Sequence, residues 1–137
     1  MNRSKRLVVI LVIAAIILSF GIIALGKKTD ISNHWAKKEI QYLLEKNIVS
    51  GYPDGSFRPD ESITRAEFIK IINNVFGYSN IGQVQFTDVE ETDWFYDEIG
   101  KAVAAGYISG YADGTMKPNN PITRQEVSKI VGIVFGL

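Results

Sequence analysis

Residues 51–77 read GYPDGSFRPDESITRAEFIKIINNVFG, and residues 110–136 read GYADGTMKPNNPITRQEVSKIVGIVFG. The two segments align without a gap, and 14 of 27 positions are identical. The match extends upstream, where Trp35 meets Trp94 and Ile40 meets Ile99. Asp30 and Asp88 fall one residue out of step, so the second copy carries one extra residue before its tryptophan. A duplication on this scale constrains the fold more than any bulk property. Each copy has to be one structural unit, and units that cannot cover their own apolar faces have to stack.

Each copy reads as helix, loop, helix. Ala36, Ile40, Leu43 and Leu44 fall on one helical stripe, as do Phe95, Ile99, Ala102 and Val103 in the second copy. Asn33 and Thr92 stand where N-caps belong. In the second helix of each copy, Phe68, Ile71, Ile72, Val75 and Phe76 repeat as Val127, Ile130, Val131, Val134 and Phe135. Gly77 and Gly136 follow as stop signals. Thr64-x-x-Glu67 and Thr123-x-x-Glu126 are capping boxes, and Ile63 and Ile122 precede them at the staple position. Asp54-Gly55 and Asp113-Gly114 are turn formers, Gly51 and Gly110 are bend positions, and Pro59 and Pro118 stiffen the loop. The expected fold is mainly α: two tandem helix-loop-helix repeats packed together, with helices at 34–47, 65–76, 94–105 and 124–135. A short polar linker runs from Ser79 to Gln85.

Ahead of the repeats lies an uncharged stretch, Leu7 to Gly26, flanked by Arg3, Lys5 and Arg6 on one side and Lys27 and Lys28 on the other. Its 20 residues match the hydrocarbon thickness of a bilayer, and the basic flank favours a cytoplasmic N-terminus. One N-terminal transmembrane or signal helix is therefore expected. Its length and the two lysines behind it favour an uncleaved anchor over a secretory leader, whose apolar region is shorter. The domains are then 1–26 for this segment, 27–80 for the first repeat and 81–137 for the second. Residues 27–137 carry twelve basic against fifteen acidic residues, which argues against a nucleic-acid partner. The chain has no cysteine, so disulfides and thiolate metal sites are excluded. No Ser/His/Asp set, phosphate loop or metal-ligand spacing appears, so neither an enzyme nor a cofactor is expected.

Caps and turns account for most of the repeated loop but not for Arg65 and Arg124. Each stands at the first position of a helix, where the dipole is positive and a cation does nothing for the helix. Two readings stand. Either the arginine pairs with a nearby carboxylate, or it joins the helix N-terminus in an anion site. Trp35 and Trp94 divide in the same way, between core and sugar platform. His34, opposite Asp93 in the alignment, reads as a surface residue near a cap, and Asp88, Glu90, Glu91 and Asp93 read as a solvated loop.

Each copy resembles an S-layer homology repeat. The resemblance rests on DISNHWAKKEIQYLLEKNIVSGYPDGSFRPDESITRAEF and FTDVEETDWFYDEIGKAVAAGYISGYADGTMKPNNPITRQEV, and covers residues 28–137. Its motifs are the aspartate-aliphatic pair ahead of the tryptophan, the Gly-Tyr-x-Asp-Gly loop and the Thr-Arg-x-Glu box. The resemblance implies an exported module that binds secondary cell-wall polysaccharide or a peptidoglycan-linked glycan without covalent attachment. Such polymers often carry a pyruvyl ketal, whose carboxylate suits Arg65 and Arg124. Trp35 and Trp94 would line the sugar groove, and the loops with Gly51, Asp54, Gly110 and Asp113 would add contacts. The chain departs from the pattern in having two repeats where three are usual, and Lys28 where the second copy has Phe86. Two repeats imply one complete groove, with self-association to complete a third repeat. The rival reading is a structural or oligomerisation module that binds no glycan.

Overall fold

The computed structural model describes residues 29–137; the apolar stretch 7–26 and Lys28 lie outside the described residues. After a short 3-10 turn at Thr29–Ile31 come four α-helices: α1 (Lys37–Glu45), α2 (Arg65–Phe76), α3 (Tyr96–Ala104) and α4 (Arg124–Phe135). No strand forms among the described residues, and a single isolated bridge, Thr64 to Pro121, ties the repeats together. None of these helices is long and apolar enough to cross a membrane.

α2 and α4 run over the residues expected of them, because their ends are set locally. The Thr64 hydroxyl accepts from the Glu67 amide at 3.2 Å, and the Glu67 carboxylate accepts from the Thr64 amide at 2.7 Å. Thr123 and Glu126 repeat the arrangement at 3.3 and 2.8 Å. Gly77 and Gly136 end the helices in left-handed geometry, at φ 68° and 67°.

α1 and α3 start later than expected, and Asn33 and Thr92 do not cap them. The caps are Ala36 and Phe95, with no side-chain cap bond. The preceding residues are held in tight turns, with the Lys37 amide donating to the His34 carbonyl and the Tyr96 amide to that of Asp93, both at 3.1 Å. His34 is more than a surface residue. Its Nδ1 accepts from the Ala36 amide at 3.1 Å, and its Nε2 meets Asp60 at 3.2 Å. At the other ends, left-handed Asn47 and Gly106 turn the chain away.

The core is shared between the copies. Ala66, Ile69 and Ile72 of α2 pack with Phe95, the cap of α3, and with Ile99 and Ala102 of that helix. Tyr107, Met116 and Ile130 complete the cluster. Asn73 sits buried inside it, accepting from the Tyr107 hydroxyl at 2.7 Å and donating to the Glu98 carbonyl at 2.9 Å. The linker is strapped onto α3, with the Gly82 amide donating to the Gly100 carbonyl at 2.9 Å. Asp88 is a clamp rather than part of a solvated loop: its carboxylate takes the amides of Met116 and Lys117 at 2.7 and 2.8 Å. Asp30 does the same for Phe57 and Arg58, at 2.7 and 2.6 Å. The one-residue slip in sequence is thus absorbed without a change of role.

Candidate functional site

The repeated loop is a compact turn. The Asp54 carboxylate accepts from the Ser56 amide and hydroxyl at 2.9 and 2.6 Å, while the Tyr52 and Ser56 backbones pair at 2.9 Å. Asp113 and Thr115 repeat this at 3.0 and 2.6 Å. These bonds hold Asp54 far below the usual carboxylate range, the Ser56 hydroxyl contributing most and the Arg58 guanidinium adding to it. The clamped residue that follows is left-handed in both copies, Arg58 at φ 58° and Lys117 at φ 51°. This backbone turns Arg58 over the Tyr52 ring at 4.2 Å and Lys117 over that of Tyr111 at 4.3 Å.

The two box arginines have different surroundings. Arg65 is 6% exposed. Its Nη1 lies 2.9 Å from Glu126, its Nε donates to the Met116 carbonyl at 3.0 Å, and its guanidinium sits 5.0 Å from the Tyr111 ring. The amides of Arg65 and Ala66 donate to the Asn120 and Pro118 carbonyls at 2.9 and 3.0 Å. The N-terminus of α2 is therefore filled from the second repeat. Arg124 is exposed and has no ionic partner among the described residues. Its amide and that of Gln125 meet no carbonyl acceptor there either.

Glu126 is the hinge of this arrangement. Burial pushes its pKa up, but the Tyr111 hydroxyl, the Thr123 amide and hydroxyl, and Arg65 outweigh burial and hold it below the ordinary range. Glu67 is likewise lowered despite burial, by Thr64 and Tyr52. The hydroxyls that donate to these carboxylates, Tyr52 and Tyr111, are raised by that same bond.

A groove of about 540 Å³ opens on the first repeat, with Gly51, Tyr52, Arg58 and Lys70 in its wall and Trp94 reaching in from the second repeat. Trp94 is 56% exposed, and the Lys70 ammonium lies 5.6 Å from its ring. The corresponding cavity on the second repeat, lined by Gly110, Tyr111, Lys129 and Arg65, is about 220 Å³. Of the expected site residues, Gly51 and Trp94 thus share one groove, and Arg65 and Gly110 share the other cavity. Trp35, Arg124, Asp54 and Asp113 line neither. Trp35 is 87% exposed, with the His34 ring beside it at 5.4 Å. Gly110 has a packing reason to be glycine: a Cβ there would stand 2.5 Å from the Phe86 ring. The groove also contains two cations that sequence reading passed over. The signal for them was present, since Lys70 and Lys129 are identical in the alignment and Arg58 faces a basic Lys117.

The groove sets an aromatic face and an apolar floor beside two cations, Lys70 and Arg58, and two carboxylates, Glu61 and Glu67. Arg58 is held by Asp54 at 2.8 Å and Glu61 at 3.7 Å. Such a mixed lining suits a sugar ring that carries polar and charged groups. No group of side chains among the described residues could hold a metal ion. A family model described as the S-layer homology domain matches residues 29–69 and again residues 85–128. The chain belongs to the S-layer homology family. Its two repeats form a cell-surface attachment module, not a catalyst. The Cellulosome-anchoring protein of Acetivibrio thermocellus is 40% identical over 114 residues, which is 74% of this chain and 25% of that protein. Cell surface glycoprotein 1 of the same organism is 35% identical over 120 residues, 79% of this chain and 5% of the glycoprotein. The Surface-layer 125 kDa protein of Lysinibacillus sphaericus is 34% identical over 103 residues, 75% of this chain and 9% of that protein. The chain thus spans a quarter or less of the length of these relatives.

Proposed function

We propose that the groove on the first repeat binds an anionic sugar of a bacterial wall polymer, a secondary cell-wall polysaccharide or a peptidoglycan-linked glycan. The observation that carries this is the groove itself: a half-exposed Trp94 with Lys70 and Arg58 around it, in a family whose members include anchoring and surface-layer proteins. Trp94 is the platform for the sugar ring, and Lys70 and Arg58 face its acid. Gly51 lets the loop backbone come close, and Asp54 holds Arg58 in place. Arg124, with the open amides of α4 behind it, is a second contact for a carboxylate such as a pyruvyl ketal. Residues 7–26 hold the module at the membrane, on the extracytoplasmic side of the envelope.

The test is a sedimentation assay of the full-length chain on purified cell walls, with and without the secondary polymer. Binding is expected to require the polymer. Trp94→Ala removes the platform and Arg124→Lys removes the bidentate fork while keeping the charge. Arg124→Lys is expected to weaken binding roughly tenfold or more, since a charge-assisted hydrogen bond contributes about 1.5–3 kcal/mol. Trp94→Ala is expected to weaken it by up to roughly tenfold, since a stacked aromatic contributes about 0.5–1.5 kcal/mol. Equal binding to stripped and intact walls would sink the proposal.

A further inference from the structure

The contact that joins the two repeats has a plug and a socket. The plug is the N-terminus of α2, with the Arg65 side chain and the amides of Arg65 and Ala66. The socket is the loop of the second repeat. It offers the carbonyls of Met116, Pro118 and Asn120, the Tyr111 ring and the Glu126 carboxylate. The duplication makes one more of each. Fifty-nine residues earlier, Phe57, Pro59, Glu61, Tyr52 and Glu67 occupy the socket positions, and all five line the groove on the first repeat.

The two sockets are built alike. Asp30 and Asp88 clamp the same pair of amides, Arg58 and Lys117 share a left-handed backbone, and Tyr52 donates to Glu67 at 2.7 Å as Tyr111 donates to Glu126. They differ in what fills them. Glu126 holds Arg65, whereas Glu67 has no ionic partner among the described residues, and the space is about 540 against 220 Å³. The spare plug is the N-terminus of α4, with exposed Arg124 and two open amides.

We infer that a second copy of this chain seats the N-terminus of α4 in the first-repeat socket, placing Arg124 of one copy on Glu67 and Tyr52 of the next. The internal contact is the template: a cation-tipped helix end meets a carboxylate beside an aromatic face, as Arg65 meets Glu126 and Tyr111, here with Arg58 already over the Tyr52 ring and Lys70 in the same wall. The helix faces behind the plugs set its strength. Ala66 and Ile69, fully buried on α2, become Gln125 and Ser128 on α4. Asn73 becomes Gly132 just where its partner Tyr107 becomes Ile48. The copy-to-copy contact is therefore more polar than the internal one and weaker, so association rises with concentration. Each copy offers one plug and one socket, so the contact is heterologous and copies add head to tail, in open chains or closed rings. The inference uses the same groove and the same Arg124 as the glycan reading, so a second copy and a glycan exclude each other there, and the test is run without wall polymer.

Analytical ultracentrifugation of the full-length chain in detergent micelles tests it, with Arg124→Gln as the plug variant and Glu67→Gln as the socket variant. Glutamine serves the capping box as well as glutamate does, so α2 keeps its start. Ser50→Arg places a cation at an exposed position on the groove, away from the cap, and gives a second socket variant if Glu67→Gln melts early. Wild type is expected to associate, and each variant alone to associate at least about tenfold more weakly. An equimolar mixture of plug and socket variants is expected to form pairs and nothing longer, since only one functional contact remains. A wild type that stays monomeric overturns the inference. So does association that neither variant weakens, as contact through residues 7–26 would give. A mixture that fails to pair overturns it too, because it means a two-fold symmetric contact.

Discussion

Arg65 and Arg124 stand at one register of the repeat, and their surroundings decide what each does. At Arg65 the neighbouring repeat supplies a carboxylate, a carbonyl and an aromatic face, so the side chain is a bolt between the two copies. Arg65→Lys keeps the charge but cannot reach Glu126 and the Met116 carbonyl together. A melt by circular dichroism is expected to show a loss of at least about 5 °C for Arg65→Lys and no change for Arg124→Lys. Glu126 also sets a pH dependence, chiefly through the Tyr111 and Thr123 hydrogen bonds to its carboxylate. Glu126 titrates below the ordinary value of 4.5 in the folded chain. The unfolded chain therefore binds the proton more readily, and stability falls as pH falls through and below that range. Above it the contribution is complete. The melting temperature of wild type is expected to hold from neutral pH to about pH 5 and to drop as the buffer is taken below about 4.5. The drop is expected to shrink in Tyr111→Phe, which removes the hydroxyl that does most to lower Glu126. Sequence showed both members of this pair as residues of the repeated box. It could not show that the arginine of one box meets the glutamate of the other, because that contact exists only once the repeats have stacked.

Among the elements, α2 and α4 were legible to the residue and α1 and α3 were not. Thr64, Glu67 and Gly77 set the ends of α2 through bonds within a few residues, and such bonds leave a sequence pattern. α1 and α3 begin after turns closed by backbone carbonyls and, in α1, by a histidine ring that Asp60 holds from a distance. Nothing in the local pattern marks these starts. The loop glycines divide in a parallel way. Gly55 and Gly110 are both left-handed, but a Cβ on Gly55 meets nothing within 4 Å, while one on Gly110 strikes the Phe86 ring. Gly55→Ala is expected to cost the backbone term alone, about 1–2 kcal/mol. Gly110→Ala adds displacement of Phe86 from the core, so its melting temperature is expected to fall further than that of Gly55→Ala. Equal losses would mean that Phe86 moves aside freely.

At the scale of the molecule, the duplication shows that the copies must stack, and the structure shows how unequal the result is. One core serves both repeats, and its centre is the face of α2 against α3, built half from each copy. Ala66, Ile69 and Ile99 are fully buried there, yet the positions corresponding to the first two on α4 are polar and exposed. The pattern of Phe68, Ile71, Ile72 and Phe76 on α2, repeated on α4, gave the stripe common to both helices. It hid the second face of α2, because that face is apolar in one copy only and averages away when the copies are read together. The consequence is an experiment on the halves. A chain ending at residue 80 leaves Ala66, Ile69 and Asn73 open to water, and a chain starting at residue 81 leaves Phe95, Ile99 and Tyr107 open. Neither half retains the shared core, and units of this size bury too little surface to be stable without it. Each half alone is therefore expected to melt without a cooperative transition, whereas the two mixed at high concentration are expected to regain helical signal by rebuilding the α2–α3 face. Ile69→Ala in the first half tests that this face drives the recovery. The substitution removes a fully buried side chain, at about 2–5 kcal/mol, and is expected to abolish complementation. Ser128→Ala in the second half, at the corresponding exposed position, is expected to leave it intact.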